Sequence, residues 1–397
     1  MRLDKPWEEK PISSILSKII DYRGKSVPKS DSGIPLITAR NIRKGLIDFT
    51  AQEYILEEDY KGWMSRGIPE PSDLLFTTEA PLGNICKYPK RGKFAIGQRV
   101  LCLRPDRTKI ESDYLMQFLL SEQGQTRVYL RASGSTATGI KSSEFKKVKI
   151  IFPKALPEQK AIADLLSTWD EAIEKTERLI QAKEASLKGQ IQKLISQRCD
   201  SWPHIKPKNI FDTITEKNFP DEELLSVTQD RGVIPRSMLE GRVMSPEGTT
   251  TGYKLIRRGD FAISLRLFQG GIEYSTYQGI ISPAYTVLRP KIEIDTDFYR
   301  LFFKSYLFIE KYLNLAVIGI RDGKQISIPD FLSIKIPVPP IEEQQEIVEV
   351  LLLVQNEIDL LKQLAEKYKI QKRGLMQKML TGEWRVKPEI INQYIEA

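Results

Sequence analysis

A chain of 397 residues is long for a single hydrophobic core and fits a division near its middle. With 28% charged and 9% aromatic residues its composition is that of a soluble globular protein, and its net charge of +8 points to a polyanionic partner, nucleic acid first. Three cysteines without paired spacing, Cys86, Cys102 and Cys199, exclude a zinc ribbon and a disulfide framework; no apolar run approaches the roughly 20 residues of a membrane span, and a reducing cytoplasm is expected.

In chain order, the opening stretch MRLDKPWEEKPISS has no apolar core of the signal-peptide kind. Short β-rich runs follow at Ile34 to Thr38, Asp73 to Thr78 and Arg99 to Pro105, punctuated by Gly, Pro, Asn and Asp. Near Pro157, Leu-Pro-Glu-Gln-Lys opens a helix with Pro in its first turn. Its apolar residues recur in steps of three and four, from Ile162, Leu165 and Leu166 to Leu194 and Ile195, giving one stripe on a charged rod. A second mixed block then carries β-rich runs at Phe261 to Leu265 and Tyr285 to Pro290. After Pro339-Pro340 a second striped helix runs from Ile347 and Val350 to Met379 and Leu380, with Gly382 as its stop.

The two halves repeat one another. Phe145 to Ser196 aligns with Phe331 to Thr381 about 185 residues later, with one register gap near Leu156. Gln159 then matches Gln344, Ile173 matches Ile358, and Gly189 matches Gly374. The blocks before the helices repeat loosely: PSDLLFT corresponds to RGDFAIS, and CLRPD to VLRPK. The fold class this implies is mixed α/β (α+β), a pseudo-twofold repeat. Two mixed domains of similar fold are separated by two long amphipathic helices of about 60 Å, which run antiparallel and pack as a coiled coil. The boundaries are 1–153 and 199–339 for the domains, 154–198 and 340–382 for the helices. The tail, 383–397, is expected to pack near the first domain. Each mid-helix glycine costs about 1 kcal/mol relative to alanine; it is either a tolerated defect or a close-contact point against a partner or the other helix.

Catalytic motifs are missing. The single histidine, His204, lies in the linker-like SWPHIKPK and reads as a surface residue. There is no phosphate loop (IGIRDGKQ has the wrong spacing), no dinucleotide fingerprint after a strand, and no Asn-Pro-Pro-aromatic loop. Glu8-Glu9-Lys10 and Glu366-Lys367 read as solvated charge rather than a magnesium site. What the blocks do carry is polar, basic loops. In the first block these hold Arg23, Lys25, Thr38, Arg40, Asn41, Lys44, Thr78, Ser133, Ser135, Thr136, Thr138 and Lys141. In the second they hold Gln229, Arg231, Arg236, Arg266, Gln269, Arg321, Lys324 and Gln325. Arginine pairs with guanine edges and Asn or Gln with adenine edges, while Ser, Thr and Lys serve phosphates. On the residues alone, a DNA reader and a coiled-coil scaffold that binds protein both stand.

KIPVPPIEEQQEIVEVL (Lys335 to Leu351), KIIFPKALPEQKAIADLL (Lys149 to Leu166) and MLTGEWRV (Met379 to Val386) resemble the specificity (HsdS) subunits of type I restriction–modification enzymes. IPLITARNIRKGLID, SDLLFTTEAPLG and GSTATGIKSSEFKKVKI in the first block are similar too. The chain departs from the pattern with an inserted residue and LPEQK in the first lead, and with GIRDGKQIS where a Gly-Ser/Thr loop is usual. The resemblance implies a DNA-binding, non-catalytic subunit reading a bipartite, asymmetric duplex target. It also implies two methyltransferase subunits on the helices, and restriction (translocase) subunits in the full complex. S-adenosylmethionine, and ATP with magnesium, would belong to those partners; the chain itself would hold no cofactor and no metal.

Overall fold

The computed structural model describes residues 6–24, 26–134, 138–229, 231–239, 250–264, 271–318 and 325–395. The chain forms two compact units, one made of residues 1–177 and 363–397, the other of residues 178–362. The division does not follow the helix ends. Each unit takes half of both long helices, Leu156–Ile191 and Ile341–Met379. The reason is burial. Ile162, Ala163 and Leu166 of the first helix, Met376 and Met379 of the second, and Leu380 just after it complete the core of the first unit.

That core is built on a four-stranded antiparallel sheet in the order Leu16–Asp21, Val100–Pro105, Leu74–Thr77, Ile85–Lys87. Its two central strands, Val100–Pro105 and Leu74–Thr77, read as nearly continuous apolar runs because both faces are covered. Leu74 and Phe76 enter one cluster, with Leu101 and Leu103; Leu75 enters another, with Cys86 and Cys102. In the second unit the same four-stranded order recurs as Phe211–Ile214, Thr286–Pro290, Phe261–Ile263, Ile272–Tyr274. The outer strands do not repeat. The first unit adds a second four-stranded sheet (Lys29–Ser30, Tyr54–Ile55, Ile34–Ile37, Ala95–Ile96), where the second has separate pairs, among them Leu225–Thr228 with Gly232–Pro235, Lys254–Ile256 with Gly279–Ile281, and Val317–Ile318 with Gln325–Ile326.

The matching sequence fragments are buried, paired polar groups. Asp73 accepts from Arg104 Nε at 3.1 Å and Nη2 at 2.9 Å; Asp260 accepts from Arg289 Nε at 3.0 Å and Nη2 at 2.8 Å. Both carboxylates are only 2% exposed. Gln159 and Gln344 each lock a helix start onto their unit. Gln159 accepts from the Glu111 amide at 2.8 Å and donates to the Pro153 carbonyl at 2.7 Å. Gln344 accepts from the Asp295 amide at 2.8 Å and donates to the Pro339 carbonyl at 2.8 Å. Tyr114 and Tyr299 likewise donate to the Ile151 and Pro337 carbonyls.

Within each unit the two helices run antiparallel. In the first, Trp169 meets Tyr368 edge-on, Asp170 pairs with Lys372, and Glu177 with Lys369 at 2.9 Å. In the second, Lys183 pairs with Glu357 at 2.7 Å and Arg198 with Glu343 at 3.3 Å. The tail returns to the first unit, where Arg385 holds the buried Glu158 through Nε at 2.6 Å and Nη2 at 2.9 Å.

All three cysteines are buried and unpaired. Burial pushes the Cys86 thiol up to about 12, the Cys102 thiol well above its ordinary value, and raises that of Cys199. Thiolate is the reactive form. The native chain at pH 8 is therefore expected to resist iodoacetamide at Cys86 and Cys102, and to label at both once unfolded. Peptide mapping reads this, and labelling of native Cys86 within minutes would contradict it.

Candidate nucleic-acid interface

In the first unit, hydrogen bonds tie the polar loops into one continuous surface. The loop after Ile34–Ile37 is closed by Asn41, whose Oδ1 accepts from the Thr38 amide (2.9 Å) and hydroxyl (2.8 Å). Its Nδ2 donates to the carbonyls of Asp48 (3.0 Å) and Ala51 (2.7 Å). Asn84 joins this loop to the next by donating to the Ile42 carbonyl at 2.8 Å, and the Gly45 amide bonds the Ile85 carbonyl at 2.8 Å. Gly45 has φ +89°, the left-handed region that suits glycine. Thr78 accepts from the Ile140 amide through its carbonyl (2.9 Å), and Ser133 pairs backbone groups with Gly139. Arg23 reaches the Ile140 carbonyl at 3.4 Å.

This network sorts the expected contact residues. Asn41 (3% exposed) and Thr78 (2%) are buried and spend their polar atoms on the loops, which they frame. Thr38 is half-buried against Asn41. Arg23 is half-buried with its guanidinium forked onto Asp21 (Nε 2.9 Å, Nη2 2.7 Å), which raises its basicity further and fixes its direction. Arg40, Lys44, Ser133, Thr138 and Lys141 are exposed. Arg40, Lys44 and Lys141 point cationic groups outward with no side-chain partner among the described residues. Lys25, Ser135 and Thr136 lie outside the described residues.

In the second unit, Gln229 and Arg231 sit at the turn between Leu225–Thr228 and Gly232–Pro235. Arg231 is exposed and donates to the Met238 carbonyl at 3.2 Å. Gly232 (φ +72°) packs where a Cβ would lie 2.5 Å from the Tyr274 carbonyl oxygen, so only glycine lets this turn approach the sheet. Arg236 is half-buried and Gln325 exposed. Arg266, Gln269, Arg321 and Lys324 lie outside the described residues.

Sequence reasoning passed over Lys90 and Arg91, exposed and without a side-chain partner among the described residues. It also passed over two helix cations, Lys188 and Arg373, whose signal was available: they precede the two repeated glycines. His204 turns inward. Its Nδ1 lies 2.9 Å from the Trp202 carbonyl and its Nε2 2.9 Å from the Tyr312 hydroxyl, so it organises the entry to the second unit. Glu8 pairs with Lys10 at 2.6 Å and Glu9 with Arg127 at 2.6 Å, and both carboxyls are held below their ordinary range by those cations. Among the described residues no group of three or more His, Cys, Asp or Glu side chains could hold a metal, and no helix is long and apolar enough to cross a membrane.

The helix stripe is wider than the helix pair covers. Ile162, Leu166, Ile347, Leu351 and Ile358 are buried, yet Leu165, Leu179, Val350, Leu353, Leu360 and Ile370 are 40–66% exposed.

Comparison with known proteins agrees with this arrangement. A family profile described as the type I restriction modification DNA specificity domain matches residues 5–184 and again residues 210–369. A Methanocaldococcus jannaschii chain bearing the name MjaX type I restriction enzyme specificity subunit is 26% identical over 422 residues, covering 96% of this chain and 94% of the relative. The MjaVIII specificity subunit of the same organism is 26% identical over 326 residues, covering 75% and 76%. In fold, the chain is similar to the S subunit of the type I restriction–modification system of M. genitalium (TM-score 0.58, 17% identity, 96% and 98% covered). It is also similar to a chain from a study of complex assembly and conformational transition in a type I system (TM-score 0.55, 15% identity, 96% and 99% covered). With the family's domain present twice and spanning most of its length, this chain belongs to the type I restriction–modification DNA specificity family.

Proposed function

We propose that this specificity subunit binds a bipartite, asymmetric duplex target. The loops of each unit address one half-site, and the exposed apolar faces of the helices receive methyltransferase subunits, two by the repeat, with restriction subunits added to the complex. The subunit is non-catalytic, acts in the cytoplasm, and leaves S-adenosylmethionine, ATP and magnesium to its partners. One observation carries the reading. The two units share a four-stranded sheet order, a buried Asp–Arg pair and a helix-locking glutamine, while their outer strands and reading loops differ. A shared skeleton with unlike loops is what two readers of unlike sequences require.

Two measurements test it. Sequencing of modified bases in the source genome should return two unlike short half-sites with a fixed gap. Affinity for that duplex should fall with salt at a slope of about −0.9 per phosphate contact on a log–log plot. A chain that binds no duplex at any salt, even with its methyltransferase subunit present, would instead be a protein-binding scaffold.

A further inference from the structure

Each unit has a large groove in the same place. In the first unit a groove of about 890 Å³ lies between the long helices and the short helix Glu122–Tyr129; in the second, one of about 930 Å³ lies between the long helices and the short helix Thr296–Phe303. A reading loop enters each: Lys44 lines the first groove, and Gln229 and Arg231 line the second. One helix cation in each groove is uncommitted. In the first, Lys369 pairs with Glu177, Lys372 with Asp170 and Arg127 with Glu9, but Arg373 is exposed with no partner among the described residues. In the second, Lys362 pairs with Glu184, Lys304 with Glu273 and Arg300 with Asp297, but Lys188 is exposed with no partner among the described residues.

Lys188 and Arg373 are the same position of the repeat, each followed by a mid-helix glycine. A Cβ on Gly189 or Gly374 would meet nothing within 4 Å. Contact with the other helix, one of the expected reasons for these glycines, is therefore absent. Both keep open space beside a free cation, at an intrinsic cost of about 1 kcal/mol each.

We propose that Lys188 and Arg373 are backbone-phosphate anchors, so that duplex DNA held by a unit's loops also lies against that unit's helices. The glycine removes the side chain that would hold the sugar–phosphate backbone away. The carboxylates that face the grooves without an ion pair, Glu122 in the first and Asp359 in the second, set how close the strand can come. The proposal rests on the DNA-reading function of the loops. An acidic protein segment could meet the same cations, but the groove's continuity with the reading loops favours DNA, and the protein becomes an outcome of the test.

The test uses the full chain, its modified-base target duplex and an unrelated duplex, with affinity followed from about 50 to 200 mM salt. Lys188→Ala and Arg373→Ala should each lower the magnitude of the salt slope by about one. The affinity lost across that salt range should then be about threefold to fourfold smaller than in the parent chain. Both duplexes should weaken alike, and the genomic target should stay the same. Lys175→Ala, which removes an exposed charge paired with Glu171 on the first helix, serves as the control and should leave the slope unchanged. Parent-like slopes in both groove variants would overturn the anchor alone. So would lost methyltransferase-subunit association with the DNA slope intact, since that assigns the groove to a protein. A parent chain without affinity for any duplex would overturn the reading of the loops, and the anchor with it.

Discussion

Replacing Asp73 by alanine is expected to destabilise the chain by about 3 kcal/mol, the low end of the cost of stripping one partner from a buried ion pair. Asp73 is 2% exposed and accepts from Arg104 twice and from the Glu70 amide at 2.8 Å. Its loss leaves the Arg104 guanidinium between two strands with only the Glu70 carboxylate at 2.8 Å and the Ile68 carbonyl at 3.0 Å. Arg104 is itself 22% exposed, and partial access to water keeps the cost at that low end. Asp260→Ala should cost less, because the carboxylate Arg289 retains, Glu216 at 2.7 Å, is 36% exposed against 59% for Glu70 and is less screened by water. Urea unfolding reads both. Hydrogen exchange places the damage: Asp73→Ala should lose protection in Leu74–Thr77 and Val100–Pro105 and not in Phe261–Ile263. A cost below about 1 kcal/mol for Asp73→Ala would show that the pair is not what joins these strands.

The Asp–Arg pair also explains how far the sequence could be read. PSDLLFT against RGDFAIS, and CLRPD against VLRPK, were weak matches as strings. They marked the partners of a buried contact that must recur wherever the sheet recurs, because neither charge is tolerable there alone. Gln159 and Gln344 were legible for the same reason. The division of the helices was not. Periodicity reports that a stripe is buried, but not against which body, and each helix changes partner along its length. Within the loops, polar residues look alike in sequence whether they face solvent or close a turn. Asn41 reads like an adenine contact, yet its four hydrogen bonds hold the loop that displays Arg40 and Lys44. The free cations Lys188 and Arg373 were marked only by the glycine that follows each, and a basic residue on a charged helix gains meaning once its neighbours are seen to be paired.

Lengthening both helices by four residues is expected to widen the gap in the genomic target by about two base pairs and leave both half-sites unchanged. Four helical residues add about 6 Å, and duplex DNA rises about 3.4 Å per base pair. The insertions must be matched. Placed after Glu177 and after Lys362, where the two units divide, they leave Glu177–Lys369 intact on one side and Lys183–Glu357 on the other. Placed in one helix only, the same four residues would slide one set of pairs past the other and test stability in place of spacing. Four residues also turn the helix by slightly more than one revolution, so the inserted stretch keeps its apolar side facing the partner helix. Modified-base sequencing reads the outcome directly. A gap identical to the parent's would show that helix length does not set the spacing. A target that loses one half-site would show that the helices position a reader without measuring the distance between two.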